Sequence, residues 1–267
     1  MTDRDEAKIA ARCDANYEEF CRESIRWSGR HGVIEERDGV LLWAGGSTFP
    51  VSSNGVIRLD PTVAADTVLD LAEDFFGPRN RGYSLSTNGY GGGDADLEAA
   101  AVARGLLLVV ATPAMVCAAR LAEPEVPAGI TLRWIDDADG VADFVAVNDA
   151  AYQSLGLPAG VIADLNRDPA RILAPHVHTV IAYEGDTPLA TAQVMASHGI
   201  AGVYYVGSVE AARGRGLARL VTAAVTNKGF DEHADFVTLQ ASMMGEPIYL
   251  RMGYRELYRY GIYTRFV

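Results

Sequence analysis

With 267 residues, 49% of them hydrophobic and 22% charged, the chain is a globular polypeptide with room for two domains of ordinary size, which excludes a disordered or fibrous protein. Its net charge of −12 argues against nucleic acid as a partner, because proteins that bind phosphate backbones carry a basic face. The same charge disfavours an anionic membrane surface and leaves amines or basic peptides open as substrates. Cys13, Cys21 and Cys117 form no paired framework and no CxxC occurs, which suits buried thiols in a reducing cytosol. The opening MTDRDEAK has no apolar core and does not read as a signal peptide. The longest strongly apolar run, residues 106–119, is too short to span a bilayer and contains Pro113. Together these features predict a cytoplasmic protein without membrane contact.

Residues 6–27 read as one long helix, with Ile9, Cys13, Tyr17, Phe20 and Ile25 roughly on one face. Asp38-Gly39 between two apolar arms signals a hairpin, and Asn54-Gly55 reads as a further turn before a strand at 56–59. Asp60-Pro61 opens a predicted helix to Phe76. A strand at 83–86, the glycine-rich loop NGYGGG, a helix at 94–104 and a strand at 106–110 complete the first half. EPEVPAG, at 123–129, has the composition of a linker. Beyond it come a strand at 131–135, a helix at 142–152, and a second helix at 160–173 interrupted or capped near Asp168-Pro169. Strands at 179–183, 189–196 and 202–206, joined by short turns, predict an antiparallel meander. A helix ending at Gly229, a strand at 236–241, a short helix at 246–252 and a final strand from Tyr254 close the chain.

The two halves repeat one order of elements. Gly55 to Gly105 and Gly202 to Gly253 enclose strand, turn, helix, strand, loop and helix at nearly equal separations. Such self-similarity predicts a duplicated domain of about 130 residues per copy, divided into 1–125 and 126–267. The copies differ in the turn after the first of these strands. It reads DPTVAAD in the first half and EAARGRGLA in the second. Few residues follow Gly253, so the second sheet is expected to have an edge that the first copy or another subunit covers, which makes a homodimer one of the two expected arrangements.

The segment VGSVEAARGRGLAR, residues 206–219, carries the clearest chemistry. Its two glycines and three arginines sit on a strand-to-helix turn, where unpaired N–H groups and the positive end of the helix dipole hold phosphates. Arg213, Arg215 and Arg219 add charge-assisted hydrogen bonds. The third glycine of a dinucleotide fingerprint is missing, and an antiparallel meander precedes the turn, which contradicts a Rossmann unit.

RGRGLA, at 213–218, resembles the Arg/Gln-x-x-Gly-x-Gly/Ala pattern of the GNAT superfamily of N-acetyltransferases. PIYLRMGY, at 247–254, is similar to that family's tyrosine-x-x-x-glycine-aromatic motif, here Tyr249, Gly253 and Tyr254. The resemblance covers residues 130–267 well and residues 1–125 only by topology. It implies an α+β fold of two GNAT-like domains, each a mixed, mostly antiparallel sheet flanked by helices, with a degenerate N-terminal copy. It also implies that acetyl-CoA lies in a splay between the strands around 202–210 and 236–242. The pantetheine arm would pair with Val206, Gly207, Ser208 and Val209, with Gly207 marking the bulge that opens the splay. The amides of Gly214, Arg215, Gly216, Leu217 and Ala218 would hold the pyrophosphate.

The implied reaction is direct attack of an amine on the thioester. A backbone N–H near Val209 would stabilise the oxyanion and Tyr249 would protonate the departing thiolate. For the general base, Glu210, Tyr204, Tyr205 and a water chain stand side by side. Asn148 and Tyr152 occupy a helix that contacts acceptors in the family, with packing as the simpler role. A non-catalytic acyl-CoA-binding regulatory module is the alternative function. His176-x-His178 lacks a third ligand at metal spacing and reads as a pair of ordinary strand histidines, so no metal is expected.

Overall fold

A computed structural model describes residues 3–267; Met1 and Thr2 of the opening segment lie outside the described residues. The first half contains α1 (Asp3–Arg26), β1 (Val33–Arg37), β2 (Val40–Ala44), a short irregular α2 (Pro50–Ser53) and β3 (Asn54–Arg58). It continues through α3 (Ala65–Phe76), β4 (Tyr83–Asn88), α4 (Ala95–Ala103) and β5 (Leu107–Cys117). The second half contains β6 (Ile130–Trp134), α5 (Ala138–Gln153), α6 (Val161–Leu165), α7 (Pro169–Ile172), β7 (Val177–Glu184), β8 (Thr187–Ser197) and β9 (Ile200–Ser208). It ends with α8 (Leu217–Asp231), β10 (Val237–Gln240), α9 (Glu246–Met252) and β11 (Arg255–Arg265).

These strands form one sheet in the order β1-β2-β3-β4-β11-β5-β10-β9-β8-β7-β6. Two neighbouring pairs, β3–β4 and β9–β10, run parallel, and the other pairings are antiparallel. The halves exchange their last strands. β5 of the first half pairs with β10, placing Cys117 opposite Val237, while β11 of the second half lies between β4 and β5. The edge expected of the second sheet falls beside β10 and is covered by β5 of the first half. Pro113 fits in the interior strand because its carbonyl, on the β10 side, meets the N–H of Ala241 just past the end of β10, where the sheet needs no donor from residue 113.

Alternating side chains divide between two faces. Val40, Leu42 and Val56 pack under α3 and α4, while Leu41, Trp43 and Ile57 face α1 and α6. Val194, Val203 and Leu239 pack against α8 and α9, while Met195 and Tyr204 face α5. The 24-residue α1 runs across both halves. Its Ala10 and Cys13 lie on β5 and β11, Phe20 stacks on Tyr204 at 3.6 Å between ring centroids, and Cys21 and Ile25 reach β2. Burying each such ring stabilises the fold by about 2 kcal/mol, so α1 acts as a clamp between the copies. Cys13 is buried and free, and burial pushes its thiol up to about 12.

Three local expectations are corrected. Asn54 and Gly55 are not a turn but the start of β3, opposite Ala44 and Trp43. Glycine is needed there because a Cβ would lie 2.0 Å from the Trp43 ring. Gly229 does not end α8, which continues to Asp231. Its lack of a side chain lets the helix approach the sheet, since a Cβ would come within 2.8 Å of Ala201 Cβ. The helix expected from Pro61 starts at Ala65, because the Asp60 carboxylate takes the Thr62 N–H (2.8 Å) and holds residues 60–62 in a turn. The segment 160–173 is two short helices separated near Asp168, as its Asp-Pro pair suggests.

Candidate functional site

The parallel pair β9–β10 is in register only from Ala201–Val237 to Val203–Leu239. Beyond those residues the strands part. The cause lies in β9, where Gln193 pairs with Tyr204 but Thr191 pairs with Gly207, so two residues, Tyr205 and Val206, stand opposite Ala192. Tyr205 has φ +50°, a left-handed conformation unfavourable for an aromatic residue. The bulge therefore sits at Tyr205 and not at Gly207. Gly207 has a different reason to be glycine: α5 crosses so closely that a Cβ there would be 2.8 Å from Asn148 Oδ1 and 2.9 Å from Ala151 Cβ. The strain at Tyr205 is balanced by burial of its ring among Trp27, Phe144 and Tyr152.

Past the bulge, Val206, Gly207 and Ser208 line the open strand edge, and Val209 comes at its end. The Val209 N–H donates to the Leu189 carbonyl at 2.9 Å, so that amide is committed to the sheet and is not an oxyanion donor. A short 3₁₀ turn at 210–212 leads into the glycine loop. Gly214 (φ +76°) and Gly216 (φ +78°) both take left-handed backbone, and a Cβ at either would meet nothing within 4 Å. The small residues therefore keep open space beside the backbone. The first helical bond of α8 runs from Leu220 N–H to Gly216 O, which leaves the amides of Leu217, Ala218 and Arg219 outside the helix's own bonding. Arg213 and Arg219 are exposed and make no ion pair among the described residues. Arg215 instead pairs with Glu184 at 2.6 Å, so of the three arginines it is the one already engaged.

Tyr249 reaches this region from α9. It is buried against the α8 side of the sheet, 5.9 Å from the Tyr254 ring. Burial pushes its phenol up to about 12, partly offset by the nearby Thr222 hydroxyl of α8. Tyr152, at the end of α5 on the opposite face, is close enough to feel the charge Tyr249 would carry. Gly253 closes α9 with φ +101°, which accounts for the glycine four residues after the tyrosine.

Tyr204 does not face the splay. It stacks on Phe20 and donates to Asn16 Oδ1 at 2.6 Å, so its role is to hold α1. Glu210 is exposed beyond the end of β9. His178 lies 3.2 Å from Glu232, at ion-pair distance but off hydrogen-bond alignment, and burial lowers its pKa.

One buried group leaves a polar atom unpaired. Asn148 is fully buried and donates to the Phe144 carbonyl at 3.1 Å, yet its Oδ1 has no partner among the described residues. That oxygen lies beside Gly207. An orphaned buried acceptor costs about 1–3 kcal/mol, and here it lies under α5 on the face of β9, in the space a side chain at residue 207 would occupy. Its sequence signal is an amide four residues after Phe144 on an apolar helical stripe. Thr222 had no comparable signal, being one of several small residues on α8.

No protein-family model and no curated protein matches the chain by sequence. Solved structures do match its fold. A GCN5-related N-acetyltransferase from Kribbella flavida aligns over 92% of this chain and 94% of its own, with a TM-score of 0.66 at 19% identity. A second, from Sphaerobacter thermophilus, aligns over 85% and 76%, with a TM-score of 0.65 at 16% identity. A tandem GNAT protein from the clavulanic acid biosynthesis pathway aligns over 91% and 86%, with a TM-score of 0.62 at 12% identity. The chain has the tandem GNAT fold. Its sheet is mixed and mostly antiparallel, flanked by helices on both faces.

Within the tandem GNAT fold, β3-α3-β4-α4 is the counterpart of β9-α8-β10-α9. The β3–β4 pair also parts, after Ile57–Ser86. The two openings are filled differently. The Arg58 side chain turns into the β3–β4 gap and pairs with Asp94 (2.5 Å) and Asp96 (2.7 Å), while its Nη1 and Nη2 also reach the Val63 and Gly93 carbonyls. A guanidinium with its own carboxylates and carbonyls occupies the part of this splay nearest the first loop. A cavity of about 380 Å³ opens beside it in this half, lined by α1, β3 and β4. The glycine loop, the open strand edge and Tyr249 all belong to the other half, and the candidate acyl-transfer site is assigned there on that chemistry.

Proposed function

We propose that the protein is an N-acetyltransferase that uses acetyl-CoA and an amine acceptor, with its chemistry in the β9–β10 splay. The observation that carries this reading is the coincidence at one splay of an unpaired strand edge, a left-handed glycine loop at a helix start, and a buried phenol. The fit to acetyl-CoA is concrete. Gly214 and Gly216 leave room for a pyrophosphate beside the amides of 214–218, with Arg213 and Arg219 free to add charge. Val206, Gly207 and Ser208 offer a strand edge to the two amides of a pantetheine arm.

Acetyl-CoA supplies the activated thioester, and the chain positions it. The amine nitrogen attacks the thioester carbonyl carbon and forms the C–N bond, the C–S bond breaks, and the nitrogen's proton passes to solvent water as the CoA thiolate leaves. A thiol is more acidic than a phenol by about 1.5 pKa units, and burial widens the gap here. Tyr249 therefore stabilises the departing thiolate by donating a hydrogen bond, without needing to surrender its proton in the transition state. The acidic net charge favours cationic acceptors by attraction. The decisive experiment is calorimetric titration with acetyl-CoA together with a free-thiol assay over a broad amine panel. Binding with thiol release on one or more amines is expected. Binding without thiol release on any amine would instead favour a non-catalytic acyl-CoA-binding module.

A further inference from the structure

The cavity of about 380 Å³ in the N-terminal half lies outside the acyl-transfer site. Ala11, Pro61 and Gly93 are exposed at its lining and mark its mouth. Its inner wall is aromatic and anionic. Tyr17 and Tyr260 sit together with ring centroids 4.9 Å apart, and the carboxylates of Asp14 and Glu18 share the space.

Asp14 is held in a fixed orientation by neutral donors alone. The Tyr258 and Tyr260 hydroxyls donate to Oδ1 at 2.5 and 2.6 Å, and Asn88 Nδ2 donates to Oδ2 at 2.6 Å. None of these groups cancels its charge. Glu18 has no hydrogen-bond or ion-pair partner among the described residues. Burial raises both carboxyls above their ordinary range, Glu18 to about 7, against the pull of Arg22 and with further raising by Asp14, Glu19 and Glu36. The cation on the cavity wall, Arg58, is already engaged by Asp94 and Asp96. Three carboxylates therefore line the cavity against one guanidinium, inside a wall that also offers aromatic faces. A positive charge would relieve the carboxylates, and tyrosine rings favour it further.

We propose that this cavity is a second ligand site, which takes a small organic cation: an ammonium or guanidinium head between Asp14 and Glu18, with an apolar body against Tyr17, Tyr260 and Ile57. The site does not depend on the acyl-transfer reading. It occupies the splay that Arg58 denies to a phosphate, and turns that splay from an anion site into a cation site.

The full chain is titrated by calorimetry with phenethylamine, butylamine and agmatine, and with 2-phenylethanol as the neutral counterpart of the first. The expected result is saturable binding of at least one amine, with 2-phenylethanol weaker than phenethylamine by about tenfold or more. Glu18→Gln, which removes no hydrogen bond of the fold, is expected to weaken that amine about tenfold. Ala11→Trp at the mouth is expected to abolish its binding. Both variants should bind acetyl-CoA as the parent does, and circular dichroism checks that they are folded. Equal affinity for alcohol and amine, affinity unchanged in both folded variants, or no amine binding at millimolar concentration would each overturn the proposal. Amine binding confined to the acyl-transfer site would leave both variants unchanged and so counts against it.

Discussion

The two strand splays share one geometry and have opposite electrostatics. In each, a parallel pair separates after a few residues of register, with a helix following the first strand. At β9–β10 the loop beyond the splay is glycine, arginine and unpaired amide. At β3–β4 the corresponding turn is closed by the Asp60 carboxylate on Thr62, and Arg58 fills the gap with two aspartates around it. A splay in a sheet is therefore only an opening. What enters it is decided by whether local cations are left free or are neutralised by the fold itself.

The largest effect is expected where that internal neutralisation is removed. Arg58→Leu leaves Asp94 buried without its counter-charge and should destabilise the protein by about 3–5 kcal/mol, read as a lowered urea midpoint. An unchanged midpoint would show that Arg58 is not what fills this splay. In the other half, Arg213→Glu combined with Gly216→Glu places two negative side chains beside the amide loop. Affinity for acetyl-CoA should fall about 100-fold by calorimetry, with the urea midpoint lowered only modestly, by the strain of a side chain at the left-handed residue 216. Equal affinity would remove the loop from the site.

Tyr249→Phe probes the contrast at the reacting end. We expect turnover to fall about tenfold, with acetyl-CoA affinity unchanged. With its phenol pushed up to about 12, Tyr249 stays protonated through the working range, so the substitution should lower the plateau of the pH–rate profile without shifting its limbs. Unchanged turnover would exclude the phenol as a donor.

The smallest effect is at Glu18. Its folded-state pKa, about 7, lies above the ordinary 4.5, so the folded state holds more proton than the unfolded chain between those values. Stability is then lost as pH rises from the unfolded value through the folded one. Glu18→Gln should raise Tm at about pH 8 and leave it unchanged at about pH 4. A variant less stable at the higher pH would mean that the carboxylate is already neutralised in the free protein.

Much of this was legible in the chain because it is local. The Asp38-Gly39 hairpin has the left-handed pair its residues favour, the meander strands follow their alternation, and α9 spans the segment its pattern marks. The glycines of RGRGLA marked a strand-to-helix turn, and in that turn both take positive φ. Other glycines were misread for a physical reason. Gly55, Gly207 and Gly229 are glycine because a Trp43 ring, helix α5 and strand β9 lie against them, and none of those neighbours is close in sequence. The bulge was expected at Gly207 for the same reason; its actual place, Tyr205, is made tolerable by aromatic packing from α1 and α5. Asn148 was singled out only as a residue of an acceptor-contacting helix with packing as the simpler role, and the Asp14–Tyr258–Tyr260 cluster was invisible, since each joins residues that the chain keeps far apart.

The sequence by itself determined the order of elements, the tandem organisation and the position of the glycine loop. Periodicity, turn chemistry and glycine conformation act over a few residues and can be read residue by residue. Only the tertiary structure decided that the two copies share one sheet. β5 and β11 each carry a strand pattern that either half could use, and pairing is fixed by the edge left open when every other strand has found its neighbour. The electrostatics of the two splays were decided at the same level, because burying Arg58 against Asp94 and Asp96, and Asp14 against Tyr258 and Tyr260, depends on strands and helices brought together by that shared sheet.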